Sequence, residues 1–462
     1  MKYLRRRSAS ERAQERQAYM QILRLALPIM IQNLFSAAIS SADVIMLNSV
    51  GQSSISAVSL AVQYSHVLFM VYYGLGTGVV MLCAQYWGKG DLKAIEKIEG
   101  IALRFALGIS VLFAIPAALI PELMMKLFTN DRELIEIGTS YLRIISISYL
   151  CWGISEIYLS VLRSVERVRI STVLNIGALM LNIILNAVFI YGLFGAPRLG
   201  ATGVALATSI SRAVQLCACF AVSAVSKDVR LRPSAMFEKA GVLMNDFVRL
   251  SLPALGNDIV WGVAFSTYSV IMGHMGTDVV AANSLVVVVR NFGTVMCYGI
   301  ASASGIFVGK EIGANDFERA KEDASRTVKL TVASGIIGGL LVIVVMPFVL
   351  RYAALSETAM GYLRVMLWIN TYYIMGTAVN TTLIVGIFRA GGDSRFGFIC
   401  DTIDMWVYAV PLGFFAAFVL KLPPMAVYFL LCTDEFVKWP WVIRRYRSLR
   451  WLNNITRELA GE

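Results

Sequence analysis

Arg24-Leu25-Ala26-Leu27-Pro28 opens a stretch of text that returns as Arg249-Leu250-Ser251-Leu252-Pro253. From there the two copies keep step at an offset of 225, without a gap, as far as Asp91 and Asp316. Gly51, Ala57, Ser59, Leu60, Tyr73, Gly74 and Gly88 meet Gly276, Ala282, Ser284, Leu285, Tyr298, Gly299 and Gly313. Almost everything repeated is apolar. A membrane chain built from two copies of one module, with a cavity where they meet, is the architecture of a transporter.

Composition sets the medium. Of 462 residues, 57% are apolar and 15% charged, against roughly 25% charged in soluble domains, and the mean hydropathy is +0.67. About twelve apolar stretches of about 20 residues recur from end to end, each long enough to cross a bilayer as a helix. The chain therefore reads as an all-α membrane protein. Its expected parts are an N-terminal tail at 1–19, an N-lobe of six helices at 20–225 and a linker at 226–245. A C-lobe of six helices at 246–443 and a C-terminal tail at 444–462 follow. Two lobes of six helices enter the membrane with the same orientation, which predicts a pseudo-twofold relation and a central cavity. The first span is too long for a cleaved signal and holds Pro28.

The net charge of +11 concentrates at alternate helix ends, for example at Arg5, Arg6 and Arg7, at Lys89 and Lys93, at Lys227 and Lys239, and at Arg444 and Arg445. By the positive-inside rule both termini and the linker are cytoplasmic, in a multi-pass protein of the cell's inner membrane. Anionic lipid head groups account for the basic ends, so no nucleic-acid partner is expected. The seven cysteines all fall in predicted helices and read as reduced packing residues. With two histidines, no metal cluster and no cofactor are expected.

Asp43 is the first residue with chemistry. A carboxylate near mid-bilayer costs about 2.5–3.5 kcal/mol on insertion scales, so it must face protein or water. Such a group can carry a proton from one side to the other; a structural Asp, hydrogen-bonded within its bundle, is the alternative. Pro28 frees a backbone carbonyl and kinks the helix, and Pro253 repeats the kink in the second copy. The partner of Asp43 there is Tyr268, so the copies share a frame and differ in chemistry.

Further polar residues stand in apolar text. Gln32 follows Pro28, and Asn175, Asn182 and Asn186 lie in the fifth span, the last two one turn apart. They are candidates for bonding Asp43 or a cation, and equally for gluing helices together. The second copy adds Asp258, Arg290, Asp401, Asp404 and Glu435 as a candidate cation or substrate site, where Na⁺ is admitted at the acids. A cluster neutralised by Arg290 and Lys438 is the structural alternative. Glu156, Arg104 and Arg212 are further charges within predicted spans.

Taken together, several runs resemble the multidrug and toxic compound extrusion (MATE) family. They are Ala26-Leu27-Pro28 with Gln32 and Asp43-Val44-Ile45-Met46-Leu47, Gln85-Tyr86-Trp87-Gly88-Lys89-Gly90-Asp91, Leu181-Asn182-Ile183-Ile184-Leu185-Asn186, and Phe388-Arg389-Ala390-Gly391-Gly392-Asp393. The resemblance covers nearly the whole chain. It implies two six-helix lobes, a central cavity, and rocker-switch antiport that exports small, often cationic organic compounds or drugs for H⁺ or Na⁺. Asp43 matches the proton-carrying Asp of the H⁺-coupled members and Asn182 its hydrogen-bonding partner. The chain departs at Asn186, where many members carry Asp, and near Trp261, close to the place of a cation-binding Glu. The expected coupling is to H⁺ through Asp43.

Other classes fit less well. No phosphate loop of the G-x-x-x-x-G-K-[ST] kind is present, which disfavours an ATP-driven pump. No acid, His or Cys set has catalytic spacing, so an enzyme is not expected. The closest rival is a flippase of lipid-linked saccharides, which calls for more cationic residues in the cavity. The expected partners are small-molecule substrates, H⁺ or Na⁺ and the lipid bilayer, with the chain acting as a monomer.

Overall fold

A computed structural model describes residues 9–48, 50–226, 229–238, 241–353 and 355–458. Arg5, Arg6, Arg7, Lys227 and Lys239 lie outside the described residues, as does the side chain of Asp43. The first copy of the repeat runs α1 (Ala9–Asn48), α2 (Gln52–Lys89), α3 (Leu92–Leu119), a short α4 (Pro121–Lys126), α5 (Arg132–Ser164), α6 (Val168–Tyr191) and α7 (Gly200–Val225). The second runs α8 (Gly241–Gly273), α9 (Thr277–Gly313), α10 (Phe317–Tyr352), α11 (Glu357–Phe388) and α12 (Ser394–Val419). Three shorter helices follow: α13 (Pro424–Leu431), α14 (Asp434–Val437) and α15 (Trp439–Arg447). The fold is all-α, with no strand among the described residues. Nine of its helices are long and apolar enough to cross a membrane, counted over those residues.

The repeat persists down to the helix caps. α2 and α9 follow Gly51 and Gly276, with φ of 128° and 132°. α3 and α10 begin on Asp91 and Asp316, whose carboxylates accept from the backbone N–H of Ala94 and Arg319. α5 and α11 begin on Asp131 and Ser356, which accept from Leu134 and Ala359. Each of these four side chains satisfies an N–H that the first helical turn would leave bare. All three pairs keep the offset of 225, so turn chemistry and apolar text were duplicated together.

The chain forms two compact units, and they do not follow the copies strictly. The C-unit takes the described residues up to Ile31 together with Val260–Ile455; the N-unit takes Gln32–Ile259 and the described residues from Thr456. Both α1 and α8 therefore pass from one unit to the other shortly after their prolines, Pro28 and Pro253. The expected lobes follow the copies, whereas the compact units exchange the opening segments of these two helices.

Matching faces hold the exchanged segments. Leu25, Ala26 and Ile29 are buried in the C-unit, and their repeats Leu250, Ser251 and Ala254 are buried in the N-unit. Each segment packs on a glycine of the other copy's second helix. A Cβ on Gly74 would stand 2.8 Å from Leu255 Cβ and 3.0 Å from its Cα; one on Gly299 would stand 3.2 Å from the Ala26 carbonyl. Small residues here let two backbones approach, as in membrane helix pairs generally.

Within the N-unit, α5 is the central helix, packed against α2, α3 and α7, and α6 lies on α7. The linker carries a 3₁₀ turn at Pro233–Phe237, where Ala235 is buried against α3. In the C-unit, α9, α10 and α11 pack on one another. Beyond α15, Trp451 is fully buried and stacks on Tyr446 at 6.0 Å. Farther along, Arg457 reaches Asp246 of the N-unit with two bonds of 2.6 and 2.8 Å.

One expected helix is broken. The apolar text at 424–443 predicts a single span, yet α13, α14 and α15 are separated at Cys432–Thr433 and at Lys438. Pro440 has no N–H to give the Phe436 carbonyl, which weakens the ladder at the second break. Two of the four side chains between the breaks, Asp434 and Glu435, are charged, and they accept from Tyr268 of α8 and Asn380 of α11.

Gly74→Ala is expected to destabilise the protein by about 1–3 kcal/mol, because Leu255 backbone must move. Gly361→Ala, at an exposed helical position with open space around it, should leave the melting temperature unchanged or raise it. Thermal unfolding of the two variants in detergent, followed by tryptophan fluorescence, checks the contrast.

Candidate functional site

The stretch between the breaks in the last helices belongs to a cluster of buried charge. Lys438 Nζ lies 3.1 Å from Asp401 Oδ1, 3.2 Å from Glu435 Oε2 and 3.7 Å from Asp404 Oδ2. Asp434 stands beside them, accepting the Tyr268 hydroxyl at 3.2 Å and the Glu435 N–H at 2.8 Å. None of these five charged residues is more than 6% exposed. That matters, because a buried charge without a partner costs several kcal/mol.

Helix irregularity places the groups. Asp404 sits in a π segment, Ile403–Ala409, and Asp401 lies just before it on α12. A second π segment, Thr382–Phe388, closes α11 after Asn380. Such wide turns recur at functional sites because they shift a side chain off the regular helical face. Asn380 Nδ2 donates to Glu435 Oε2 at 2.6 Å and to the Glu435 carbonyl at 2.5 Å, and Thr377 reaches Glu435 Oε1 at 3.5 Å. Farther along α11, Asn370 donates to the Tyr428 hydroxyl at 2.7 Å. Neither carboxylate oxygen of Asp404 accepts a hydrogen bond. Three carboxylates thus pair with one ammonium, and a fourth stands beside them.

The expected second-copy set is thus divided. Asp401, Asp404 and Glu435 come together around Lys438. Asp258 belongs to the N-unit. Arg290 lines a cavity, and the ion pairs of these acids are made with Lys438. Asn370, Thr377 and Asn380 were not singled out from sequence, although their spacing of seven and three puts them on one face of α11.

The cavity occupies about 380 Å³ within the C-unit. Its walls come from the post-proline half of α8, from α9, from α11 and from α13, with Trp261, Phe265, Tyr298, Tyr373 and Tyr428 giving it aromatic sides. The Arg290 guanidinium lies 5.2 Å from the Phe265 ring centre and 5.9 Å from that of Tyr373. Tyr268 and Thr377 line the cavity and also bond the acid network behind it. Among the described residues, no group of three or more His, Cys, Asp or Glu is arranged to hold a metal ion.

In the N-unit, the expected amides form short chains. Asn186 Nδ2 donates to Asn182 Oδ1 at 3.3 Å, and Asn182 Nδ2 donates to the Thr208 hydroxyl at 3.1 Å. Asn175 accepts from Gln215 at 3.2 Å, and Gln215 accepts from Arg212 at 3.0 Å. Arg212 also lies 4.5 Å from the Trp152 ring centre. Glu156 pairs with Arg163 at 2.9 Å, and Arg104 donates to the Glu238 carbonyl. The buried Gln32 Oε1 has no hydrogen-bond partner. These bonds account for charges whose partners the sequence left unnamed.

Comparison with known proteins places the whole chain. The MatE family profile matches residues 28–188 and again 253–415, one match on each copy of the repeat. The transporter YisQ of Bacillus subtilis is 22% identical over 436 residues, covering 93% of this chain and 94% of YisQ. A probable multidrug resistance protein NorM of Photorhabdus laumondii is 25% identical over 408 residues, covering 86% and 87%. A solved multidrug resistance MATE family transporter, captured outward-facing, superposes with a TM-score of 0.83 at 20% identity over 93% of this chain and 96% of its own. With both halves matched and the same helical fold, the chain belongs to the MatE family of membrane transporters.

Proposed function

We propose that this protein is a secondary active antiporter of the cell's inner membrane, with both termini cytoplasmic and the chain acting as a monomer. It exports small organic compounds in exchange for inward H⁺ by alternating access. The observation that carries this reading is the buried network around Lys438. Its carboxylates outnumber its ammonium, and desolvation penalises uncompensated charge, so its occupancy by positive charge must track its access to water. A proton is the better candidate than Na⁺, because the Lys438 ammonium already stands where a cation would sit among the acids. The broken run α13–α15 supports the same reading: discontinuous helices in transporters lie where ions and substrates bind.

Asp43 is assigned the complementary role in the first copy, as the carboxylate that takes up and releases the coupling proton. The amide chain of Asn182 and Asn186 would hold the groups around it. One charge moving inward through 100 mV supplies about 2.3 kcal/mol. That sustains roughly a fifty-fold gradient of a neutral compound, at about 1.36 kcal/mol per decade. A single titrating carboxylate is therefore sufficient to drive useful export.

Asp43→Asn is expected to reduce dye efflux at least ten-fold, about 1.4 kcal/mol or more, while leaving expression and the chromatographic profile intact. Normal efflux by that variant would remove Asp43 from the mechanism. Asp401→Asn should slow transport several-fold or alter its ion dependence. Both variants are measured in vesicles with pH and sodium gradients imposed separately. Efflux driven by sodium alone would overturn the assignment to H⁺.

A further inference from the structure

We propose that the C-unit cavity binds organic anions, and that its ligand is a flat aromatic compound whose carboxylate or sulfonate rests on Arg290. This deepens the exporter reading and rests on it, by naming the charge of the compound carried. It also departs from the cationic substrates that the family resemblance implies.

The argument begins with what the cavity lacks and what it holds. None of its lining residues is Asp or Glu, and Arg290 is the one full charge among them. The guanidinium is held by ring faces, 5.2 Å from Phe265 and 5.9 Å from Tyr373. Among the described residues, no carboxylate stands within 4 Å of it to neutralise it. Aromatic faces satisfy a cation without using its N–H donors, so the planar fork stays free for an oxyanion, which it binds through paired hydrogen bonds.

The acid network makes its ion pairs with Lys438 rather than with Arg290. Its carboxylates turn inward to Lys438, to the Tyr268 hydroxyl, and to Asn380 and Thr377. Tyr268 and Thr377 themselves form part of the cavity wall. Two hydroxyl-bearing side chains thus separate an acidic interior from a cavity whose exposed charge is positive.

The remaining wall suits a flat ring. Trp261 and Phe265 meet edge to face at 4.3 Å, and Tyr298 and Tyr373 add further ring surface. Asn283 and Asn291 line the same space and can bond polar substituents. A volume of about 380 Å³ lies within the range that holds a small organic ligand. One H⁺ entering for one anion leaving moves two charges in the same electrical sense, so the membrane potential favours both legs of the exchange.

The test uses one ring with two charges. Naphthoate and naphthylmethylammonium are titrated separately into the purified protein by equilibrium dialysis in detergent. Naphthoate is expected to bind at least ten-fold more tightly than the ammonium compound. Arg290→Gln should weaken naphthoate roughly 10- to 100-fold, the effect of losing a charge-assisted hydrogen bond, and leave the ammonium compound unchanged or improved. If that variant fails to fold, the wild-type pair and Arg290→Lys decide, since Lys keeps the charge without the fork and should fall between. Equal or tighter binding of the ammonium compound overturns the proposal, as does unchanged naphthoate binding by Arg290→Gln. Gradient-driven dye efflux is measured on the same protein reconstituted into vesicles. Efflux without naphthoate preference sinks the anion site and spares the exporter; naphthoate preference without efflux supports the anion site and sinks the exporter.

Discussion

The Lys438 ammonium is the constraint around which the C-unit is arranged. A lysine that is 2% exposed in an apolar protein must be neutralised, and Asp401, Asp404 and Glu435 do so at 3.1 to 3.7 Å. Meeting that demand breaks the last helices, widens two others into π turns and fixes Asn380 against Glu435. The irregular backbone is the geometric consequence of gathering five charges from α12, α14 and the turn at Lys438. Charges elsewhere obey the same rule with lighter means. Glu156 has Arg163, Arg212 has Gln215 and the Trp152 face, and Arg290 has two rings.

A second constraint comes from the duplicated prolines. Each interrupts the backbone ladder of its helix, and each is followed within a few residues by the handover of that helix from one compact unit to the other. Because the opening segments are exchanged, neither copy of the repeat completes a core by itself. Glycines at equivalent places, Gly74 and Gly299, receive those segments, so a feature that reads as small-residue packing also decides which copy supports which.

Duplication also explains why the two units differ where they do. Caps, turns and apolar faces recur at a constant offset because they serve the shared frame. The candidate site residues do not recur: Asp43 is answered by Tyr268, and the network around Lys438 has no counterpart among the N-unit amides. A duplicated scaffold whose copies carry different polar groups can bind unlike things in its two units while keeping one set of helices.

Much of this was legible before any coordinates. The offset of 225, with Asp91 repeated at Asp316, and the apolar spans follow from duplication and from local rules of membrane insertion, which act over a few residues. The acids Asp401, Asp404 and Glu435 stood out because charge is rare in such text. What the linear text could not carry was pairing across distance. That Lys438 gathers the acids while Arg290 lines a cavity depends on which faces of α11, α12 and α14 meet. That α1 and α8 change units depends on packing between segments far apart in the chain, Ala26 with Gly299 and Leu255 with Gly74. Local periodicity determines that a residue is buried; only the assembled helices decide beside what.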